Sequence, residues 1–130
     1  MVDTSELIEV AQRARERAYA PYSGFRMGAA VLTVEGTVVP GSLVENVSLG
    51  LAMCAERVAL FSTVAAGEVP TKLVLVSPRT GGAVTHPCGA CLQVALELGG
   101  PTLEVIAAAT DGEVAHHPLT ELLPRGPHKA

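Results

Sequence analysis

Hydrophobic and polar positions alternate along this chain with periods that change several times. Residues 4 to 19 repeat at helical spacing, with Leu7, Ile8, Ala11, Ala14 and Ala18 on one face. Asp3 stands where an N-cap belongs, with Glu6 three residues on as a capping box requires, and Pro21 follows as a stop. The pattern then shortens to strand-like runs, Ala29 to Val34 and Thr37 to Leu43, with Glu35-Gly36 predicted as a two-residue hairpin turn. Helical spacing returns from Met53 to Ala66 and ends at Gly67. Lys72 to Ser77 is a short apolar strand, and a third helix is predicted from Cys88 to Gly99-Gly100. Leu103 to Ala109 and Glu113 to His117 read as two strands around Thr110-Asp111-Gly112, a gap too short for a parallel crossover, so this pair is predicted antiparallel. Leu119 to Leu123 forms a last helical turn before Pro124. The expected architecture is α/β: a five-stranded mixed sheet with helices on both faces, in three layers. Leu49, Leu51 and Met53, just before the second helix, fit either a core or an interface, and core is the commoner fate of such residues.

At 130 residues the whole chain, 1–130, is expected to be one domain with a sizeable core. A formal net charge of -4 disfavours a sequence-independent grip on nucleic acid, and an aromatic content of 3% supplies too few platforms for stacking bases. The first residues carry Asp3, Glu6 and Glu9 with no basic start before an apolar run, so no signal peptide is expected. No apolar stretch has the length of a membrane span. Three cysteines cannot all pair within one chain, which favours a reducing cytoplasm with the thiols on a metal.

All three cysteines lie in two short motifs, Cys54-Ala55-Glu56-Arg57 and Pro87-Cys88-Gly89-Ala90-Cys91. Both fall at predicted helix starts, where unpaired N–H groups and the positive dipole end favour thiolates. Pro87 and Gly89 permit the tight turn that brings Cys88 and Cys91 to one ion. Three protein ligands leave the fourth position of a tetrahedral zinc open, which separates a catalytic site from a structural one. Water at such a position can reach a pKa near about 7. Three thiolates oppose that effect, so positive charge is needed beside the sulfurs; Arg57 and the two helix dipoles are the candidates. Glu56, two residues after Cys54, is placed to serve as general base and then general acid. Each motif alone is weak: a lone C-x-x-C is often a redox pair or half of a structural zinc site. The main rival makes His86 a fourth ligand and closes the site, but a residue two before Cys88 points elsewhere. His116, His117 and His128 read as surface or core histidines, and Arg57 also fits a solvated helix charge.

This combination resembles the established signature of zinc-dependent base deaminases. With these motifs the chain resembles the small homotetrameric cytidine deaminases. The resemblance extends to Tyr22-Ser23-Gly24-Phe25 leading into Gly28-Ala29-Ala30, to Gly41 and Val44-Glu45-Asn46, to Gln93, and to Glu121-Leu122-Leu123-Pro124. It implies one zinc per chain on Cys54, Cys88 and Cys91. Glu56 would move protons from water on the metal to ring N3 and to the departing amine, and Arg57 would bond the cysteine sulfurs. Phe25, Glu45 and Ala55 would contact the substrate, Phe25 packing on base or sugar and Glu45 bonding a ribose hydroxyl. The implied partners are a small nucleoside and further copies of the chain in a homotetramer, with no nucleic acid and no membrane.

Several substrate-side positions depart from the family pattern. Leu43 stands where Asn is common, Leu49 where Tyr is common, and Leu92 where Arg is common. The late Phe that often stacks on the base is missing after Pro124. The expected activity is hydrolytic deamination of cytidine or deoxycytidine, as in pyrimidine salvage. The alternatives are a deaminase of the same superfamily acting on another aminated ring, such as a modified cytosine nucleoside or a blasticidin-type antibiotic, and a non-catalytic zinc-stabilised oligomer.

Overall fold

The computed structural model describes residues 2–129. Helix α1 (Thr4–Glu16) begins as expected: the Asp3 carboxylate accepts the Glu6 N–H at 2.9 Å. It ends at Glu16 and not at Tyr19. The backbone of Tyr19 is taken by the segment after the second strand, donating to the Leu43 carbonyl at 2.9 Å and accepting the Glu45 N–H at 2.8 Å. Strand-like pairing has overridden helical spacing here.

Strands β1 (Gly28–Thr33) and β2 (Val38–Ser42) form an antiparallel hairpin. Its turn is not the two-residue type predicted. Thr33 N–H donates to the Thr37 carbonyl, so Val34, Glu35 and Gly36 form the loop, with Gly36 at φ 91°. A turn closed by a left-handed glycine is the usual three-residue solution. After a 3-10 turn (Leu49–Leu51) come α2 (Ala55–Ala65), β3 (Pro70–Ser77), α3 (Gly89–Gly99), β4 (Glu104–Ala109), β5 (Val114–Pro118) and the short α4 (Leu119–Leu122).

The five strands make one sheet in the order β2-β1-β3-β4-β5. Only β3 and β4 are parallel, and α3 supplies the crossover they need. The β4–β5 pair is antiparallel, as its short connection required. Alternation along the central strands divides the core in two. Ala30, Val74, Val76, Ile106 and Ala108 face Leu7 and Ala11 of α1. Ala29, Val31, Leu73 and Val105 face Ala55, Ala59 and Leu60 of α2 and Leu92, Ala95 and Leu96 of α3. The expected three-layer α/β/α arrangement is the one found.

Two features fix where α2 begins. A Cβ on Gly41 would lie 2.4 Å from the Ala55 carbonyl oxygen and 2.5 Å from the Ala59 nitrogen, so the helix rests directly on the backbone of β2. Met53, predicted as the first helical residue, instead exchanges two backbone hydrogen bonds with Val44, at 2.8 and 3.0 Å, and the helix starts two residues later. Leu49 and Leu51 do not enter the core: they are 88% and 68% exposed, and Val47 beside them is 79% exposed.

Candidate active site

Helices α2 and α3 start in the same way. Cys54 and Cys88 are their N-caps, both with extended backbone, and neither uses its side chain to cap an N–H. An N-cap side chain lies over the third residue of its helix. In α3 that residue is Cys91, and its Sγ lies 3.5 Å from Cys88 Sγ. In α2 it is Arg57, whose Nη2 donates to Cys54 Sγ at 3.4 Å. Because the two helices lie side by side on one face of the sheet, all three sulfurs lie within 4.8 Å of one another. All three thiols are free. Zinc–sulfur bonds of about 2.3 Å put tetrahedral ligands about 3.8 Å apart, so the donor set fits zinc in both chemistry and spacing.

The electrostatics agree with a cation among the sulfurs. The hydrogen bond from Cys91 brings the Cys54 thiol down to about 5, and Arg57 adds to the effect. Donating to Cys54, together with burial, pushes Cys91 up. A divalent ion would displace the remaining thiol protons and take all three sulfurs as thiolate ligands. The Arg57 guanidinium is held charged chiefly by its bond to Cys54.

Glu56 is the second residue of α2 and is 1% exposed. Burial is the main cause that pushes its carboxyl up to about 7, and the negative charge on Cys54 adds to it. Among the described residues, three buried side-chain polar atoms have no hydrogen-bond partner: Glu56 Oε1, Arg57 Nε and His86 Nε2. All three belong to residues in or beside the two cysteine motifs. Orphaned groups of this kind are uncommon in folded proteins and mark places where a ligand, water or ion completes the bonding.

The remaining predicted residues are placed as follows. Ala55 is fully buried at the first position of α2, where the backbone N–H has no intrahelical partner. Phe25 is half-buried in the loop before β1, and its N–H donates to Ser23 Oγ at 3.0 Å. Glu45 anchors that loop. Its Oε1 accepts the N–H groups of Tyr22 and Ser23 at 3.0 and 3.3 Å, and its Oε2 accepts the Ser23 hydroxyl. The Val44–Met53 bridge ties this segment to the residue before Cys54. Ser23 was not singled out from sequence as the partner of Glu45; a serine in a Tyr-Ser-Gly turn carries no signal of its distant acceptor. His86 does not join the sulfurs. Its ring packs on that of His117, with centroids 5.2 Å apart at 58°. Leu43 and Leu92 both pack into the α2–α3 side of the core.

A buried carboxylate with a raised pKa beside three convergent sulfurs, carried by adjacent helix starts over a mixed sheet, defines a zinc-dependent hydrolytic enzyme. The comparisons narrow the class. Residues 1–108 match the family model described as the cytidine and deoxycytidylate deaminase zinc-binding region. The cytidine deaminase of Halalkalibacterium halodurans is 42% identical over 123 residues, covering 95% of this chain and 92% of that protein. That of Mycobacterium tuberculosis is 44% identical over 126 residues, covering 95% and 88%. A crystal structure of cytidine deaminase from Burkholderia pseudomallei superposes with a TM-score of 0.91 at 46% identity, covering 97% of this chain and all of that one. The chain belongs to the cytidine deaminase family, whose members are zinc-dependent hydrolytic deaminases.

Proposed function

We propose that this protein converts cytidine and deoxycytidine to uridine and deoxyuridine with release of ammonia, using one zinc held by Cys54, Cys88 and Cys91. The observation that carries the reading is Glu56: a buried carboxylate with an unpartnered oxygen, held beside the three sulfurs by the first turn of α2. Zinc, when bound there, supplies Lewis-acid activation of water. Glu56 takes a proton from the attacking water, gives it to ring N3, and later delivers a proton to the amine as it leaves. Its raised pKa suits a group that must both accept and donate near neutral pH. Arg57 bonds the Cys54 sulfur and offsets its charge.

Phe25 packs against the base or sugar, and Ala55 offers backbone at the start of α2. Glu45 already accepts three hydrogen bonds, and a carboxylate has about four lone-pair sites, so one remains on Oε2 for a ribose hydroxyl. The exposed apolar run Val47, Leu49 and Leu51, adjoining the α2 start, supports assembly as a homotetramer in which further copies cover it. Residues 1–130 act as one domain, and the role in the cell is pyrimidine salvage in the cytoplasm.

Glu56→Gln keeps the shape of the site and removes the proton carrier. The variant is expected to retain zinc and to lose on the order of 10²–10⁴-fold in kcat on cytidine. Ammonia release at a near-normal rate by a zinc-replete variant would remove Glu56 from the mechanism.

A further inference from the structure

Three side chains in contact, His86, His117 and Glu121, run from the turn that presents Cys88 to α4. His86 immediately precedes the buried Pro87, which is followed by the exposed Cys88. Its Nε2 is buried and has no side-chain or backbone hydrogen-bond partner among the described residues. Its neighbour is the His117 ring on β5, 5.2 Å away centroid to centroid. His117 is itself tied, its Nδ1 lying 2.8 Å from Glu121 Oε2 on α4. Glu121 is anchored in turn because α4 buries Leu119 fully against the α2–α3 side of the core. Cys54 needs no such help: its helix rests on the backbone of β2 at Gly41, and its sulfur is bonded by Arg57. Cys88 is the most exposed of the three cysteines and caps its helix with no side-chain hydrogen bond to the backbone.

We propose that His86, His117 and Glu121 form a brace that positions the Cys88 turn, so that retention of the metal depends on the β5–α4 corner outside the site. The inference rests on Cys88 being a zinc ligand. All three are positioning residues, since none is placed to touch the reacting atoms. Groups that orient ligands from behind typically change metal affinity or activity by about 10–100-fold. A brace acting through the backbone belongs at the low end of that range.

The test is the rate at which the zinc-loaded full-length protein gives up its metal to excess chromogenic chelator. His117→Phe, which keeps a ring against His86 but loses the bond to Glu121, and Glu121→Ala are each expected to release zinc about tenfold faster than wild type. Glu121→Gln keeps an acceptor oxygen and is expected to restore most of the lost retention. Thr120→Ala, on the exposed neighbouring residue, is expected to match wild type. In the cobalt-loaded protein, His86→Ala is expected to shift the thiolate-to-metal absorption bands. The double variant His86→Ala/Glu121→Ala is expected to release metal no faster than His86→Ala alone, because both break one line of contacts. If His86→Ala does not fold, the His117→Phe and Glu121 variants decide the question alone. Release within about twofold of wild type for both His117→Phe and Glu121→Ala, or additive effects in the double variant, would overturn the brace. A wild-type protein that holds no zinc would overturn the metal assignment itself, and the brace with it.

Discussion

The starts of α2 and α3 use one local geometry for two purposes. In each, an N-cap cysteine lies over the third residue of its helix. In α3 that residue is a second cysteine, giving two sulfurs 3.5 Å apart and no acidic side chain in the first turn. In α2 it is Arg57, and between the two stands the buried Glu56. The α3 start contributes metal donors alone. The α2 start contributes one donor, the proton carrier and the compensating cation. The start of α1 shows what such a position does in the absence of chemistry: Asp3 closes on the Glu6 N–H and is spent as a cap. A cysteine is a poor cap, and for that reason its sulfur stays available to a metal.

The hardest test of this division is to remove a donor from the α3 start. Cys91→Ala is expected to abolish tight zinc binding and bring turnover to background, read by metal analysis and ammonia release. A variant that keeps its zinc would show that the α3 start is not the donor pair. Glu56→Gln, by contrast, should separate the two halves, retaining the metal while losing the rate. Arg57→Ala comes next. Without the guanidinium the sulfur charge is uncompensated, and zinc affinity is expected to fall by about 10–100-fold in chelator competition, with partial recovery in Arg57→Lys. An unchanged affinity would make Arg57 a solvated helix charge.

Gly41→Ala pushes on the α2 start alone. The new Cβ would meet backbone atoms of Ala55 and Ala59 at 2.4 to 2.5 Å, so the helix must shift. Overpacking of this kind costs about 1–3 kcal/mol, measurable by denaturant unfolding, and kcat should fall with it because Glu56 moves too. Asp3→Ala is the smallest. The Glu6 N–H holds the Asp3 carboxyl below its ordinary value of 3.8. Its contribution is therefore present above that pH and is lost as pH falls through the lowered value. The variant should unfold slightly more easily at neutral pH, show a weaker stability loss on acidification, and turn over substrate normally. A loss of turnover would mean that α1 is coupled to the site.

Much of this was legible in the residues. Leu7, Ala11 and Ala14 repeat as a buried helical face, and they form the face α1 buries. Thr110-Asp111-Gly112 announced an antiparallel return, and β4 and β5 make it. The metal site was readable because its chemistry depends on residue types at short spacing within single helix starts. What failed were local rules overruled by distant partners. Tyr19 and Met53 left their predicted helices because Leu43, Val44 and Glu45 claim their backbone groups. The turn at Gly36 gained a residue because the Thr33–Thr37 pairing closes around it. Leu49 and Leu51 remain on the surface because the 3-10 turn carrying them lies outside both core layers. The partners of Glu45 and the tilted ring contact of His86 with His117 join residues more than 20 positions apart, which no spacing reveals.

The sequence by itself determined which atoms can do the chemistry: three sulfurs and a guanidinium paired by three-residue helical offsets, and a carboxylate two residues after Cys54. The tertiary structure decided that the two helix starts meet, because α2 and α3 share one face of the sheet and α2 lies on the backbone of β2 at Gly41. It also decided the state of Glu56. A carboxylate two residues into a helix is ordinarily solvated and acidic, and only the packing around α2 buries it beside the sulfurs and lifts its pKa to about 7.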